Sequence, residues 1–125
     1  MKVAYKGGAG KEILRHLSFD FGHQEPIVID EYIDLLKQTD KLVFLMDTAN
    51  AREHYPESKN IEAYTFDLKS IVVVGENSTD IPLDEQIKSI PADKRDIVYI
   101  PLLTNRVLHA EAALAITLHR IQCQP

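Results

Sequence analysis

Short runs of β-branched and aliphatic residues recur along this chain, separated by stretches whose apolar residues keep helical spacing, and that alternation narrows the fold more than any other feature. A strand, a helix and a second strand can pair their strands in parallel only if the helix crosses one face of the sheet, so repeated units bury a mainly parallel sheet between helical layers. Five runs stand out, at residues 3–5, 27–29, 42–46, 71–74 and 97–100. All but the first are continuously apolar, the pattern of strands buried on both faces. Between them Ile13, Leu14 and Leu17 share one helical face within 12–17, as do Tyr32, Leu35 and Leu36 within 31–38 and Leu83, Ile87 and Ile90 within 83–90. Asn50 followed by Glu53 fits a capping box for a short helix that Pro56 limits. Tyr64, Phe66 and Leu68 alternate with polar or small residues, which predicts an extra half-exposed strand or an extended connection. The chain closes on a predicted helix over 108–122, where Ala110, Ala112, Ala113 and Ala115 let another backbone approach closely; alanine's plain helix preference is the simpler explanation. The expected fold is three-layer α/β, with a mainly parallel sheet of five or six strands and helices on both faces.

At 125 residues these elements must share one core, so 1–125 is read as a single α/β domain. A hydrophobic fraction of 45% and a charged fraction of 26% are those of a globular chain. No apolar run approaches the roughly eighteen residues of a membrane span, and the opening MKVAYKGGAGKE has no apolar signal core. The expected location is cytoplasmic. Cys123 is the single cysteine, which excludes an intrachain disulfide and a thiolate cluster, and no metal site is expected. A net charge of −5 argues against general affinity for polyanions. Positive charge clusters only at Lys2, Lys6, Lys11 and Arg15, read as a solvated surface or a local basic face.

Two stretches carry candidate chemistry. In the first, Gly7, Gly8, Gly10 and Lys11 form a glycine-rich turn between a strand and a helix, where backbone N–H groups and a lysine can face a phosphate. KGGAGK resembles the deviant phosphate loop of the ATPases that partition plasmids and load metals, with Glu12 where that family has a hydroxyl residue. Asp47, at the end of the run LVFLMD, is the matching candidate for an acidic magnesium partner or, in a receiver-like domain, a regulatory acid. In the second stretch, from residue 70 onward, the run IVVV leads into Gly75-Glu76-Asn77, a helix near IPLDEQI, a strand DIVYIPL, the polar turn Thr104-Asn105-Arg106 and the alanine-rich helix. A glycine directly after a buried strand lets a ligand reach backbone amides, and strand ends with polar loops form a crevice at the carboxyl edge of a parallel sheet.

This second stretch, in its order and its residues, resembles the SPOUT family of knotted RNA methyltransferases, and within it the archaeal tRNA ribose 2′-O-methyltransferases. Their final motif NQPHSE, followed by an AALA helix, corresponds here to Asn105-Arg106-Val107-Leu108-His109-Ala110-Glu111 and Ala112-Ala113-Leu114-Ala115, with Arg120 further along. The resemblance implies a C-terminal trefoil knot and an S-adenosylmethionine pocket around Gly75, Glu76, Ile100, Leu102, Asn105 and His109. It also implies a homodimer through the final helix and RNA as the partner. Methyl transfer to a polarised RNA oxygen or nitrogen needs alignment and a base or cation near the acceptor. Arg15 and Arg52 are the candidates for the family's first-motif arginine.

Three functional readings follow. The leading one is an S-adenosylmethionine-binding, RNA methyltransferase-like protein, with activity retained or lost. The second is a nucleotide- or phosphate-binding protein built on Gly7, Gly8, Gly10 and Lys11. The third is a non-enzymatic Rossmann-like or receiver-like interaction domain. His16, His23, His54, His109 and His119 lack the HxxxH and HExxH spacings of metal sites and read as surface or capping residues, His109 excepted by its place before the final helix. Asp30-Glu31 and Asp84-Glu85 open predicted helices, where carboxylates complement the helix dipole.

Overall fold

In the computed structural model, which describes residues 1–6, 12–74, 85–104, 106 and 108–125, strand β1 (Lys2–Lys6) leads to helix α1 (Glu12–Asp20) and strand β2 (Ile27–Ile29). A 3-10 helix (Tyr32–Lys37), β3 (Leu42–Met46), α2 (Thr48–His54) and β4 (Lys59–Asn60) follow, then β5 (Ile71–Val74), α3 (Glu85–Ser89), β6 (Arg95–Tyr99) and α4 (Ala110–Cys123). The six strands form one all-parallel sheet in the order β2-β1-β5-β3-β6-β4. This is the expected α/β architecture. The order is interleaved, because β5 inserts between β1 and β3, and β6 between β3 and β4.

Alternation along the strands divides the core in two. On one face Val3, Tyr5, Val43, Leu45, Val72, Val74 and Val98 meet Leu14 of α1 and Leu114, Leu118 and Ile121 of α4, with Ile61 and Phe66 beside them. On the other face Ala4, Leu42, Phe44, Met46, Ile71, Val73 and Ile97 meet Tyr32, Leu35, Ala51, Tyr55, Ile87 and Ile90. The register keeps like with like across the central strands, Val3 beside Val72 and Val72 beside Val43.

Several local expectations shift. The run 27–29 is apolar, yet β2 is an edge strand and Val28 is 58% exposed, so it is not buried on both faces. The segment 31–38 folds as a 3-10 helix, whose three-residue repeat puts Tyr32 and Leu35 on one buried line. Helix α2 is capped by Asp47, whose carboxylate accepts from the Asn50 amide, so the cap falls three residues before the expected Asn50. The sixth strand is Lys59–Asn60, while 64–67 is the extended connection, its Phe66 peptide clasped by Gln124 through N–H···Oε1 (2.8 Å) and Nε2–H···O (3.1 Å) bonds. Strand β6 begins at Arg95 and ends at Tyr99, leaving Ile100 just beyond it. In α4 the alanines divide: Ala110 and Ala113 pack on the core, whereas Ala112 and Ala115 lie on the outer side with Ile116. The expected knot turns on the paths of 75–84, 105 and 107, which lie outside the described residues. Among the described residues no helix is long and apolar enough to cross a membrane.

Candidate functional site

The carboxyl edge of a parallel sheet gathers the loops that leave every strand, and both candidate stretches start there. β1 ends at Lys6, immediately before residues 7–11, and β5 ends at Val74, immediately before residues 75–84. These strands are neighbours, Tyr5 opposite Val74. Gly7, Gly8, Gly10 and Lys11, and likewise Gly75, Glu76 and Asn105, lie outside the described residues. The crevice expected between the ends of β5 and β6 is wider than the sequence order suggests, because β3 runs between them and its end supplies Asp47.

Helix α2 starts at that end and fixes what can be described of the site. Asp47 is fully used there: besides the Asn50 amide at 3.1 Å, both its carboxylate oxygens accept from Asn50 Nδ2, at 2.8 and 3.0 Å. Such an aspartate is a helix cap first, which weakens its reading as a magnesium partner or regulatory acid. The next residue, Thr48, donates its hydroxyl to the carbonyl of Ile100 at 3.2 Å, tying the start of α2 to the chain leaving β6. One turn on, the Arg52 guanidinium lies 5.4 Å from the centre of the Tyr99 ring, a cation–π contact at the last residue of β6. Arg52, Thr48, Tyr99 and Ile100 therefore form one cluster. Ile100 is half-buried against the core, Leu102 is 39% exposed and Leu103 wholly so. His109 is exposed and takes the N-cap position of α4.

Arg15 sits elsewhere and is engaged. Its Nε donates to Glu25 at 2.8 Å and its Nη1 to Glu12 at 3.0 Å, while the guanidinium lies over the Phe19 ring. The hydrogen bonds it donates to Glu25 and Glu12 raise its already high pKa further. The described members of the basic cluster read from the sequence, Lys2, Lys6 and Arg15, are dispersed, while Lys11 lies outside the described residues. Lys2 is at the amino end of β1 with Gln38 (3.3 Å), and Lys6 is at the carboxyl end over the Tyr32 ring (4.7 Å). The histidines are spread as well, His16 near Glu12, His54 near Glu53, and His119 within 3.9 Å of the exposed Cys123 thiol. Among the described residues no three His, Cys, Asp or Glu side chains converge as metal ligands.

Compared with protein-family models and with curated proteins, the chain matches none. Tyr99 and Thr48 are the contributors that sequence reading missed. Tyr99 reads as one more apolar strand residue, and Thr48 acquires its role only once α2 and β6 are side by side.

Proposed function

We propose that this chain is an S-adenosylmethionine-binding protein of the RNA methyltransferase type, acting in the cytoplasm as a homodimer through its final helix. One observation supports this reading above the others: α2 carries Arg52 to the end of β6, onto Tyr99, while Thr48 of the same helix bonds the Ile100 carbonyl. A cation is thus next to the strand end from which the pocket residues Ile100 and Leu102 depart. The surroundings fit an adenosyl group, with half-buried Ile100 offering an apolar wall and the strand-end backbone offering polar groups for its edges. When bound, S-adenosylmethionine supplies the methyl group. Arg52 holds the acceptor nucleotide by its phosphate, Tyr99 fixes the direction of that guanidinium, and Thr48 holds the Ile100 carbonyl in place. Arg15, committed to Glu12 and Glu25, is the weaker of the two arginine candidates. The dimer face is the outer side of α4, Ala112, Ala115 and Ile116, since its inner side is already packed in the protomer.

Isothermal titration with S-adenosylmethionine tests the pocket, and transfer of a labelled methyl group to bulk tRNA tests the chemistry. The expected result is binding that Gly75→Val abolishes, with Arg52→Ala sparing cofactor binding while reducing transfer at least about tenfold. Light scattering should give a dimer that Ile116→Arg dissociates. Binding of ATP with Mg²⁺ alone, lost in Lys11→Ala, would replace this reading with the phosphate-binding one. Silence toward both ligands would leave the non-enzymatic interaction domain.

A further inference from the structure

A second recess opens at the opposite, amino edge of the sheet. Its volume is about 710 Å³, the size of a nucleotide site, and it lies where β1, β5 and β3 begin. Three turns frame it: 22–24 after α1, 38–41 before β3, and 67–70 before β5. Two of these turns are clipped together by Thr39, whose hydroxyl accepts from the Lys41 amide (3.3 Å) and donates to the Lys69 carbonyl (2.8 Å). The third is fixed by the end of α1, where Gly22 at φ +79° lets its amide bond the Phe19 carbonyl (2.9 Å) and the His23 amide bond the Ser18 carbonyl (2.8 Å). The frame is therefore held by the backbone and by the hydroxyl of the half-buried Thr39, independently of any ligand.

The charge in this recess runs against that of the chain. Lys2, Lys41 and Lys69 line it against Asp40 and Asp67, a positive excess in a chain whose net charge is −5. Asp67 is already bonded through Oδ1 to the Lys69 amide (2.9 Å), and Lys41 leans toward Asp96 (3.8 Å). Lys2 and Lys69, both exposed, are the two ammonium groups placed to meet an anion. Helix C-termini at an amino edge ordinarily repel anions. Here the Leu17, Ser18 and Phe19 carbonyls in the last turn of α1 accept from the amides of its own cap, which lessens that opposition. Burial, with the nearby Met1 amino group, pushes the His23 imidazole down, so it is a neutral polar wall at pH 7. The exposed Leu68 adds apolar surface.

We propose that this amino-edge recess binds a phosphorylated small molecule of nucleotide size, its phosphate held by Lys2 and Lys69. The site is distinct from the carboxyl edge and does not depend on the reading given to it. The test is titration of the full chain with adenosine 5′-monophosphate, with inorganic phosphate and a single-stranded oligonucleotide as separate arms. Expected is one nucleotide bound per chain, weakened about tenfold or more in Lys2→Ala/Lys69→Ala and unchanged in the charge-matched Lys37→Ala/Lys88→Ala. Both variants should melt with the wild type, and the response to S-adenosylmethionine should be the same in all three proteins. Inorganic phosphate should compete with the nucleotide, which locates the phosphate as the group recognised. Equal nucleotide affinity in the two double variants overturns the proposal, as does absence of binding up to about 5 mM. An oligonucleotide that binds where the mononucleotide does not also overturns it, in favour of a nucleic-acid surface.

Discussion

Replacing the largely buried Arg95 with methionine should destabilise the protein, although the residue touches none of the candidate ligand groups. Its side chain is only 13% exposed. Nη1 donates to the carbonyls of Ile87 (2.7 Å) and Ile90 (3.0 Å), closing the C-terminal end of α3, and the guanidinium lies 5.4 Å from the centre of the Tyr55 ring. Two charge-assisted hydrogen bonds contribute about 1.5–3 kcal/mol each in isolation, and a partly desolvated cation–π contact about 1 kcal/mol. Against them stand the cost of drawing the guanidinium out of water and of Nε, which is buried without a hydrogen-bond partner. The Ile87 carbonyl keeps its bond from the Ile90 amide when Arg95 is removed, so only the Ile90 carbonyl loses a charged donor outright. The balance is a loss of about 2–4 kcal/mol for Arg95→Met, roughly 10 °C in melting temperature for a domain of this size. Arg95→Lys retains one donor and loses the planar stack, for about 1–2 kcal/mol. Glu57, 50% exposed and 3.6 Å from Nη2, should be replaceable by glutamine within about 0.5 kcal/mol. Urea unfolding followed by circular dichroism measures all three. An Arg95→Met variant within about 0.5 kcal/mol of wild type would refute the argument, because the desolvation cost would then cancel the hydrogen bonds.

Asp47→Ala should cost about 1 kcal/mol of stability by uncapping α2, and Asp47→Ser should recover most of it; a magnesium-dependent change in stability lost with the carboxylate would instead restore its reading as a metal partner. Gly22→Ala should cost about 1 kcal/mol even though a Cβ there meets nothing within 4 Å, because the strain is in φ alone; Gly22→Asn should be milder. Burial first, and then the 2.6 Å hydrogen bond to Asp96, push the Tyr64 phenol well above its ordinary value. Its folded pKa being raised, its contribution is complete below the unfolded value of about 10 and is lost as pH rises beyond it, when only the unfolded chain ionises. Tyr64→Phe should therefore lower stability by about 1 kcal/mol at pH 7 and flatten the alkaline decline, which melts taken between pH 7 and 11 will show.

The central strands were legible because each contains a short apolar run, IVVV in β5 and LVFLM in β3 being buried at every position. Lys59–Asn60 carries no such signal: it is a strand only because β6 lies beside it, Lys59 opposite Val98. The same holds for β2, whose apolar sequence suggested a two-sided burial that an edge position does not provide. The site divides likewise. Arg52 was legible as a candidate by residue type, but its partners Tyr99 and Thr48 stand 47 and 4 residues away along the chain and meet only through the sheet. The amino-edge recess was not legible at all, since its lysines come from the start of β1 and from two separate turns, and each alone reads as ordinary surface charge.

The strand order also sets a limit on when this chain can fold during synthesis. β3 pairs only with β5 and β6, and β4 only with β6, so the N-terminal half by itself retains one pairing, between β1 and β2. Until Val74 has been made, the apolar segment 42–46 has an open edge on both sides, and one edge stays open until Tyr99. A fragment ending before β5 should be unfolded and prone to associate through that segment, whereas restoring the missing C-terminal strands as a separate peptide should rescue it. Strands from the second half of the chain thus decide whether β3 and β4, in the first half, have any partner to pair with.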